Sequence, residues 1–314
     1  MRALVIGAGG SLEVRERPDP VPGEGQILVA VRGAGLNAAD LLQRYGLYPA
    51  PPGAPADIPG MEFAGEVVAT GPGADRFKPG DRVMSLTGGG AQAELAVVHE
   101  REAMPAPAAL SWAQAGGLPE AFTTAHDALF TQGDLRLGER LCVHGAAGGV
   151  GSAAVQLGVA AGASVVATVR SPERRESVAS LGAVVVDPSA AVDNGPYDVI
   201  LELIGAPNLG PDLETLATGG RIYVIGIGAG AVGEINLGLL MARRATIRGS
   251  TMRARPLEAK AAASRLLEAQ VLPLFESGRL SVPVDAEFPL SEAEKAYEHF
   301  AEGGKFGKIV LTVD

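Results

Sequence analysis

A glycine-rich turn within residues 141–157 is the part of the sequence best suited to hold a charged ligand. The stretch reads LCVHGAAGGVGSAAVQL, so an apolar run typical of a buried strand passes through Ala146–Gly151 into a helical pattern. In such a turn Gly148 lets the main chain approach a diphosphate, and Gly151 lets the helix pack closely on the strand. The helix N-terminus adds unpaired N–H donors and the positive end of its dipole. A tight strand-to-helix connection alone also favours glycine, but the flanking strand and helix favour a dinucleotide site.

The residues after the following strand favour NADPH over NADH as the dinucleotide. An NAD site normally places Asp or Glu there, about 20 residues after the turn, to bind the ribose 2′-hydroxyl. The sequence instead reads TVRSPERR over residues 168–175, with a hydroxyl and the three arginines Arg170, Arg174 and Arg175. Guanidinium groups bind phosphate in bidentate fashion, and positive charge at a helix N-terminus is unfavourable without an anion. We therefore predict that the arginines bind the 2′-phosphate of NADPH, and we keep a solvated basic face as the alternative.

Two kinds of pattern divide the chain into two domains. Up to about Ala115, short β-type runs alternate with turn signals such as Pro72-Gly73 and Pro79-Gly80, which predicts a small, mostly antiparallel β domain. From about Pro119, apolar strands alternate with Ala-rich helical stretches, as in a parallel sheet covered on both faces. Residues 256–278 read as one long amphipathic helix, and short β runs return in the tail. We predict an α/β fold in which a doubly wound parallel sheet domain, residues 118–276, is inserted in a β domain formed by residues 1–117 and 277–314.

Composition and charge exclude several classes of function. The 314 residues carry a net charge of −10, which argues against nucleic acid or an anionic membrane as the main partner. Cys142 is the single cysteine, so neither an intramolecular disulfide nor a zinc site with several Cys ligands is possible. The sequence shows neither the apolar core of a signal peptide nor an uninterrupted apolar run of membrane-spanning length. We predict a cytoplasmic protein that acts on a small molecule.

Segments along the whole chain resemble those of the zinc-free medium-chain dehydrogenase/reductases. The resemblance is closest to the NADPH:quinone oxidoreductase branch, which includes zeta-crystallin. It is carried by GAGLNAADLLQRYGLY (33–48), IPGMEFAGEV (58–67), KPGDRVMSL (78–86), LPEAFTTAHDAL (118–129), GAAGGVGSAAVQL (145–157), RRATIRGSTMRARPLEAK (243–260) and GKIVLTVD (307–314). It implies a GroES-like catalytic domain, a Rossmann NADP-binding domain and a homodimer. Zinc-dependent relatives carry Cys and His ligands where this chain has Asn37 and Met61, so no metal is expected.

The resemblance also implies a role for individual residues. Asn37 and Asp40 match a motif near the nicotinamide and substrate, and Tyr48 matches a tyrosine at the mouth of the active site; these three are the predicted catalytic residues. Ser171 and Arg174 match a pair that holds the 2′-phosphate. The remaining predicted cofactor contacts are Thr124, Ala147, Gly148, Gly149, Val150, Gly205, Gly226, Ile227, Phe306 and Lys308. Asp187 and Lys305 depart from the family pattern, and both bear on the cofactor preference.

Each predicted catalytic residue has a structural alternative. Asn37 is a residue type that commonly hydrogen-bonds a turn, Asp40 is suited to cap a helix start, and Tyr48 lies beside prolines on which its ring can pack. None of the four histidines is proposed as an acid or base.

The absence of a recognisable nucleophile with its activating base suits hydride transfer, in which the cofactor carries the chemistry. We expect NADPH-dependent reduction of a quinone or an α,β-unsaturated carbonyl, with Tyr48 or Asn37 donating a hydrogen bond to the carbonyl oxygen. The alternatives are an enoyl-CoA or enoyl-ACP reductase of the same superfamily, and a non-catalytic NADPH-binding protein like the lens crystallins.

Overall fold

The computed structural model describes residues 1–313, which form two compact units. The first unit comprises Met1–Thr123, Met252–Gly303 and the chain from Lys308, and the second comprises Thr124–Thr251 and Gly304–Gly307. The second unit is therefore enclosed in sequence by the first, as an inserted domain requires. The boundaries predicted from the sequence, at 117/118 and 276/277, stay predictions of where each domain folds by itself.

Strands and helices are numbered here in chain order. The strands are β1 (Arg2–Ile6), β2 (Leu12–Glu16), β3 (Gln26–Gly35), β4 (Glu62–Thr70), β5 (Arg82–Leu86), β6 (Leu95–His99), β7 (Ala103–Pro105), β8 (Arg140–Val143), β9 (Ser164–Thr168), β10 (Val184–Val186), β11 (Tyr197–Glu202), β12 (Leu216–Val224), β13 (Thr246–Gly249), β14 (Val284–Pro289) and β15 (Lys308–Thr312). The helices are α1 (Ala38–Arg44), α2 (Trp112–Gly116), α3 (Pro119–His126), α4 (Gly149–Ala160), α5 (Arg175–Ala179), α6 (Leu209–Thr215), α7 (Leu237–Arg243), α8 (Leu257–Gln270), α9 (Leu272–Glu276) and α10 (Ala293–Glu302). No helix among residues 1–313 is both long and apolar enough to cross a membrane.

A seven-stranded sheet forms the centre of the first unit. Its order is β14-β15-β3-β4-β5-β7, with β6 also paired to β3, and all pairs except β14/β15 are antiparallel. The inward-facing apolar side chains of β3 and β4, among them Ile27, Val29 and Phe63, are fully buried. Strand β15 pairs with β3, so the C-terminal tail completes the sheet of the N-terminal part. The predicted mostly antiparallel β domain is thereby confirmed.

The helix predicted over residues 256–278 is two helices. Helix α8 ends at Gln270 and α9 begins at Leu272, with Val271 between them. Pro273 has no N–H to donate to the preceding turn, which prevents a continuous helix at this point. Helix α8 belongs to the first unit, where Arg101 pairs with Glu258 and Arg76 with Glu268, each at 2.6 Å.

A six-stranded, fully parallel sheet forms the centre of the second unit. Its order is β10-β9-β8-β11-β12-β13, the doubly wound Rossmann order, and this confirms the predicted fold class. Leu141, Cys142 and Val143 in β8 are fully buried, which explains their continuous apolar run. The strand order reverses between β8 and β11. In such sheets ligands bind at the carboxyl ends of the strands next to this reversal.

Buried polar groups tie the carboxyl ends of the central strands together. His144 follows β8, and its Nε2 lies 2.7 Å from Asp212 Oδ1 in α6, while its Nδ1 lies 3.1 Å from Thr168 Oγ1 at the end of β9. Burial alone lowers the pKa of His144, but the hydrogen bonds and charges of Asp212 and Cys142 outweigh it and raise the pKa to about 11. The raised pKa favours the imidazolium form, in which both ring nitrogens carry a proton to donate.

The carboxylate of Glu202 organises the loop after β11. It accepts hydrogen bonds from the main-chain N–H of Ile204, from that of Gly205 at 2.6 Å and from Asn208 Nδ2 at 2.9 Å. Because Glu202 is buried, these bonds replace the water that its carboxylate loses on folding.

We predict that the stability of the second unit falls as the pH rises above neutrality. The pKa of His144 is raised from its ordinary 6.5 to about 11, so the protonated ring stabilises the fold fully below pH 6.5 and progressively less from there toward pH 11. The slope is at most about 1.4 kcal/mol per pH unit. In His144→Gln the calorimetric transition of the second unit should lose this slope.

His299→Gln is the matched control, because it removes a His–Asp pair whose ring is 36% exposed and therefore screened by water. Equal pH dependence in wild type and His144→Gln would contradict the assigned imidazolium.

Candidate functional site

The glycine turn has the open side that a bound diphosphate needs. Gly145 has a left-handed φ of +67°. At Gly151 a Cβ would lie 2.4 Å from the oxygen of Gly145, so glycine is required there for the helix to pack on the turn. At Gly148 an added Cβ would meet only the Gly145 oxygen, at 3.6 Å. Packing within the protein therefore does not require glycine at 148, and the space beside it is free for a ligand.

The N-terminus of α4 offers uncapped donors at this turn. Gly148 is the N-cap residue of this 12-residue helix and has no side chain to cap it. The first N–H groups of a helix have no partner inside the helix, so those of Gly149 and Val150 are available to an anion. Ala147 contributes its carbonyl to Gly307 N at 2.8 Å, which places the predicted segment around Phe306 beside the turn within the second unit.

The predicted 2′-phosphate residues gather after β9, but two of the arginines have protein partners. Arg170 is exposed, and Ser171 precedes a short helical turn without capping it by its side chain. Arg174 Nε donates to the carbonyl of Gly304. Arg175 Nη2 lies 2.7 Å from Asp187 Oδ2, and its Nε donates to the carbonyl of Val169.

Asp187, which departs from the family pattern, pairs with Arg175. Hydrogen bonds from Ser189 and the nearby Arg175 hold the pKa of Asp187 below its usual range. Asp187 thus neutralises Arg175, and the predicted binding charge rests mainly on Arg170 and Arg174.

The loops after β11 and β12 pack against each other through glycine. A Cβ at Gly205, whose φ is +122°, would lie 2.5 Å from the oxygen of Gly230, and one at Gly226 would lie 2.2 Å from that of Leu203. Ile227 is 52% exposed on these loops. Thr124 is nearly buried in the part of α3 that belongs to the second unit. The cofactor contacts assigned to these four residues stay predictions.

A buried ion pair lies at the predicted catalytic asparagine of the first unit. Lys308 Nζ lies 2.6 Å from Glu62 Oε1 and donates to Asn37 Oδ1 at 2.7 Å, and Asn37 Nδ2 donates to Glu62 Oε1 at 2.9 Å. Glu62 is fully buried and Lys308 is 4% exposed. Sequence reasoning missed Glu62, although an acid within the apolar run MEFAGEVV was a usable signal. The cofactor contact predicted for Lys308 stays a prediction, and its ammonium has these partners within the unit.

Asp40 performs the capping role named as its structural alternative. Its Oδ2 accepts from Asn37 N at 2.9 Å, its Oδ1 accepts from Gly60 N at 3.1 Å, and the side chain is fully buried. Burial raises the pKa of Asp40 to about 6, against the lowering effect of both N–H bonds. Both carboxylate oxygens thus hold main-chain groups, and its catalytic role stays a prediction.

Tyr48 is partly buried beside an arginine that sequence reasoning did not select. The guanidinium of Arg253 lies 5.2 Å from the centre of the Tyr48 ring, and its Nη1 donates to the Tyr48 carbonyl at 3.0 Å. Burial raises the pKa of Tyr48; the charge of Arg253 acts to lower it and that of Glu120 to raise it. No local pattern marks Arg253, because its partners are about 165 to 210 residues away in the sequence.

One group of three metal-ligating side chains comes together among residues 1–313, formed by His144, Glu202 and Asp212. The nitrogens of His144 are hydrogen-bonded, and both oxygens of Glu202 accept N–H groups. A metal ion would have to displace the proton that His144 holds with a pKa of about 11. We therefore describe the group as a hydrogen-bonded cluster that supports the strand ends.

Comparisons with known proteins agree with this architecture. The family model of the alcohol dehydrogenase GroES-like domain matches residues 23–108, and that of the zinc-binding dehydrogenases matches residues 149–269. The quinone oxidoreductase of Rattus norvegicus is 34% identical over 330 aligned residues, which cover 100% of this chain and 98% of the rat protein.

Two solved structures extend the comparison. An alcohol dehydrogenase superfamily protein from Novosphingobium aromaticivorans matches with a TM-score of 0.88 at 31% identity, covering 100% of this chain and 99% of that one. The quinone oxidoreductase of Pseudomonas syringae pv. Tomato DC3000 matches with a TM-score of 0.86 at 29% identity, covering 99% of both chains.

The end-to-end match confirms the resemblance seen in the sequence segments. A dehydrogenase family with a Rossmann unit implies a nicotinamide cofactor, and oxidoreductases of this kind act on small molecules. The chain is an oxidoreductase and belongs to the quinone oxidoreductase family of the medium-chain dehydrogenase/reductases.

Proposed function

We propose that the protein is an NADPH-dependent, zinc-independent reductase that delivers hydride to a quinone or an α,β-unsaturated carbonyl. The observation that carries the proposal is the uncapped turn at Gly148 beside the reversal of strand order. The first N–H groups of α4 are suited to the diphosphate. Arg170, Ser171 and Arg174, with no acid at the end of β9, are suited to the 2′-phosphate.

The bound dinucleotide supplies the hydride, and the protein's own side chains handle the charge that develops on the acceptor. A hydrogen-bond donor at the carbonyl oxygen lowers the barrier to hydride addition. The amide of Asn37 is held by Glu62 and Lys308, so its task is to keep this part of the site in place. The Tyr48 hydroxyl remains as the proton donor. Quinones need little such help because their reduced oxygens are weak bases, whereas enones need more.

The charge balance at Asn37 supports a zinc-free mechanism. The Lys308 ammonium neutralises Glu62 at 2.6 Å and contacts Asn37, the residue that replaces the cysteine ligand of zinc-dependent relatives. Met61, which replaces their histidine ligand, is 3% exposed and packs as an apolar side chain. The buried carboxylate beside Asn37 is thus already neutralised by a lysine of the same chain.

We also propose a homodimer that continues the parallel sheet through β13. This strand is at the edge of its sheet and pairs only with β12 among the described residues. Apolar side chains in the segment that precedes β13 are strongly exposed, with Val232 at 92%, Leu237 at 63% and Met241 at 77%. An exposed edge with apolar neighbours is typical of a surface that a second copy covers. The free, buried Cys142 fits the reducing cytoplasm as the compartment.

The reaction is tested by following NADPH oxidation with 1,2-naphthoquinone, with crotonyl-CoA and without acceptor. We predict rapid oxidation with the quinone, little without acceptor, and no loss of rate after exhaustive treatment with a chelator. Faster turnover of crotonyl-CoA than of the quinone would instead identify an enoyl-thioester reductase. Tight NADPH binding without turnover of either acceptor would favour the crystallin-like alternative.

The cofactor preference is tested with Arg174→Ala. Loss of a charged contact to the 2′-phosphate should raise the dissociation constant of NADPH about tenfold, equivalent to about 1.4 kcal/mol, and leave that of NADH unchanged. Arg136→Ala is the matched control, because this arginine of the second unit pairs with Asp134 in an exposed loop and its side chain is 72% exposed. If the ratio of NADPH to NADH affinity is the same in Arg174→Ala and wild type, Arg174 does not bind the 2′-phosphate.

A further inference from the structure

We propose that Arg253 is a positioning residue for the Tyr48 proton donor, so that reduction of enones depends on Arg253 and reduction of quinones does not. The inference rests on the proposed function and deepens it, because it names the group that decides between two classes of acceptor.

Arg253 is buried in the first unit without an ion-pair partner. It is 3% exposed, and its guanidinium donates to three neutral oxygens: the carbonyls of Gly88 at 2.8 Å and Tyr48 at 3.0 Å, and the side-chain oxygen of Gln43. No carboxylate among residues 1–313 lies within 4.0 Å of its guanidinium. Burying an arginine in this way costs free energy. We therefore infer that the positive charge of Arg253 and its hydrogen bonds act on a neighbouring group, and the Tyr48 ring is the aromatic group beside it.

The three acceptors belong to separate segments that meet at Tyr48. Gln43 is in α1, Tyr48 lies in the loop that follows, and Gly88 follows β5. Residues 45–57 contain no strand or helix, so their path depends on contacts of this kind. The planar guanidinium has its donors in a fixed fork, and binding three acceptors at once fixes the loop relative to α1 and β5. The Tyr48 ring is thereby held 5.2 Å from the guanidinium.

Two charges of opposite sign act on the Tyr48 hydroxyl. Burial raises its pKa, the positive Arg253 acts to lower it, and the negative Glu120 of α3 acts to raise it. Asp40 is the other carboxylate nearby; it is fully buried, holds Asn37 N and Gly60 N, and acts on Arg253. Loss of the Arg253 charge should make Tyr48 a weaker acid, and loss of the Glu120 charge should make it a stronger one.

The two acceptor classes differ in how much they need this acid. Hydride addition to an enone leaves a strongly basic enolate, and a positioned proton donor is worth about 10² to 10⁴ in rate. Hydride addition to a quinone leaves a weakly basic hydroquinone anion that water can protonate. A change at Tyr48 should therefore lower enone turnover and spare quinone turnover.

The test uses three variants of the full-length protein and two acceptors, 1,2-naphthoquinone and 2-cyclohexen-1-one. In Arg253→Gln we expect kcat for the enone to fall by about tenfold or more, with kcat for the quinone within about twofold of wild type. Arg253→Lys keeps the charge and should recover part of the enone rate. Glu120→Gln should move the loss of enone activity at high pH toward lower pH.

A second readout follows Tyr48 without any turnover. The ultraviolet titration of tyrosinate, taken as the difference from Tyr48→Phe, should shift to higher pH in Arg253→Gln and to lower pH in Glu120→Gln. If Arg253→Gln fails to fold, Arg253→Lys and Glu120→Gln still provide both measurements.

Equal loss of both activities with unshifted tyrosinate titrations would overturn the inference and leave Arg253 as a structural residue. Failure of the wild type to reduce either acceptor would instead refute the proposed function. The two failures are distinguishable, because the titration does not require activity.

Discussion

Close packing of main chain without side chains, at the turn between β8 and α4, is the constraint on which the second unit depends. At Gly151 a side chain would collide with the oxygen of Gly145, whereas at Gly148 it would meet almost nothing within the protein. The turn is thus tight where the helix meets the strand and open where a ligand would lie. The sheet order puts this turn at the reversal between β8 and β11, where parallel sheets bind their ligands.

Buried charges support both units, and each is partnered differently. In the second unit the His144–Asp212 pair and Glu202 hold the strand ends that frame the turn. In the first unit Lys308, Glu62 and Asn37 form a closed set of hydrogen bonds. Removing one member of such a set leaves a buried charge unpaired, which costs far more than the pair contributes. These residues therefore explain how the predicted site residues are held.

The sequence was most informative where a local pattern has a single physical meaning. The Rossmann sheet is predicted by three such patterns: the glycine turn, the apolar run of β8, and the alternation of strands with helices. Pro273 also indicates a helix break, and the prediction of a single helix over residues 256–278 was wrong because it did not take this proline into account. The residue type and position of Asp40 fit both capping and catalysis, and the tertiary structure shows that both of its oxygens accept main-chain N–H groups.

Long-range pairs could not be predicted in this way. Arg253 contacts Gln43 across 210 residues and Lys308 contacts Asn37 across 271. Neither contact produces a periodic pattern in the sequence. Arg175 and Asp187 are only 12 residues apart, yet their pairing follows from the adjacency of β9 and β10 and not from a motif. Sequence patterns therefore sufficed to predict a candidate site, while its electrostatics required the tertiary structure.

Calorimetric titration of NADPH into Gly148→Val tests the central claim most directly. The Cβ of the substituted residue meets only the Gly145 oxygen, at 3.6 Å, and we expect the side chain to project into the space assigned to the diphosphate. We predict an unchanged melting temperature and an NADPH dissociation constant at least about tenfold higher than in wild type, because a clash of about 1–3 kcal/mol is expected in a close contact. Unaltered NADPH affinity in the folded variant would show that the dinucleotide binds elsewhere.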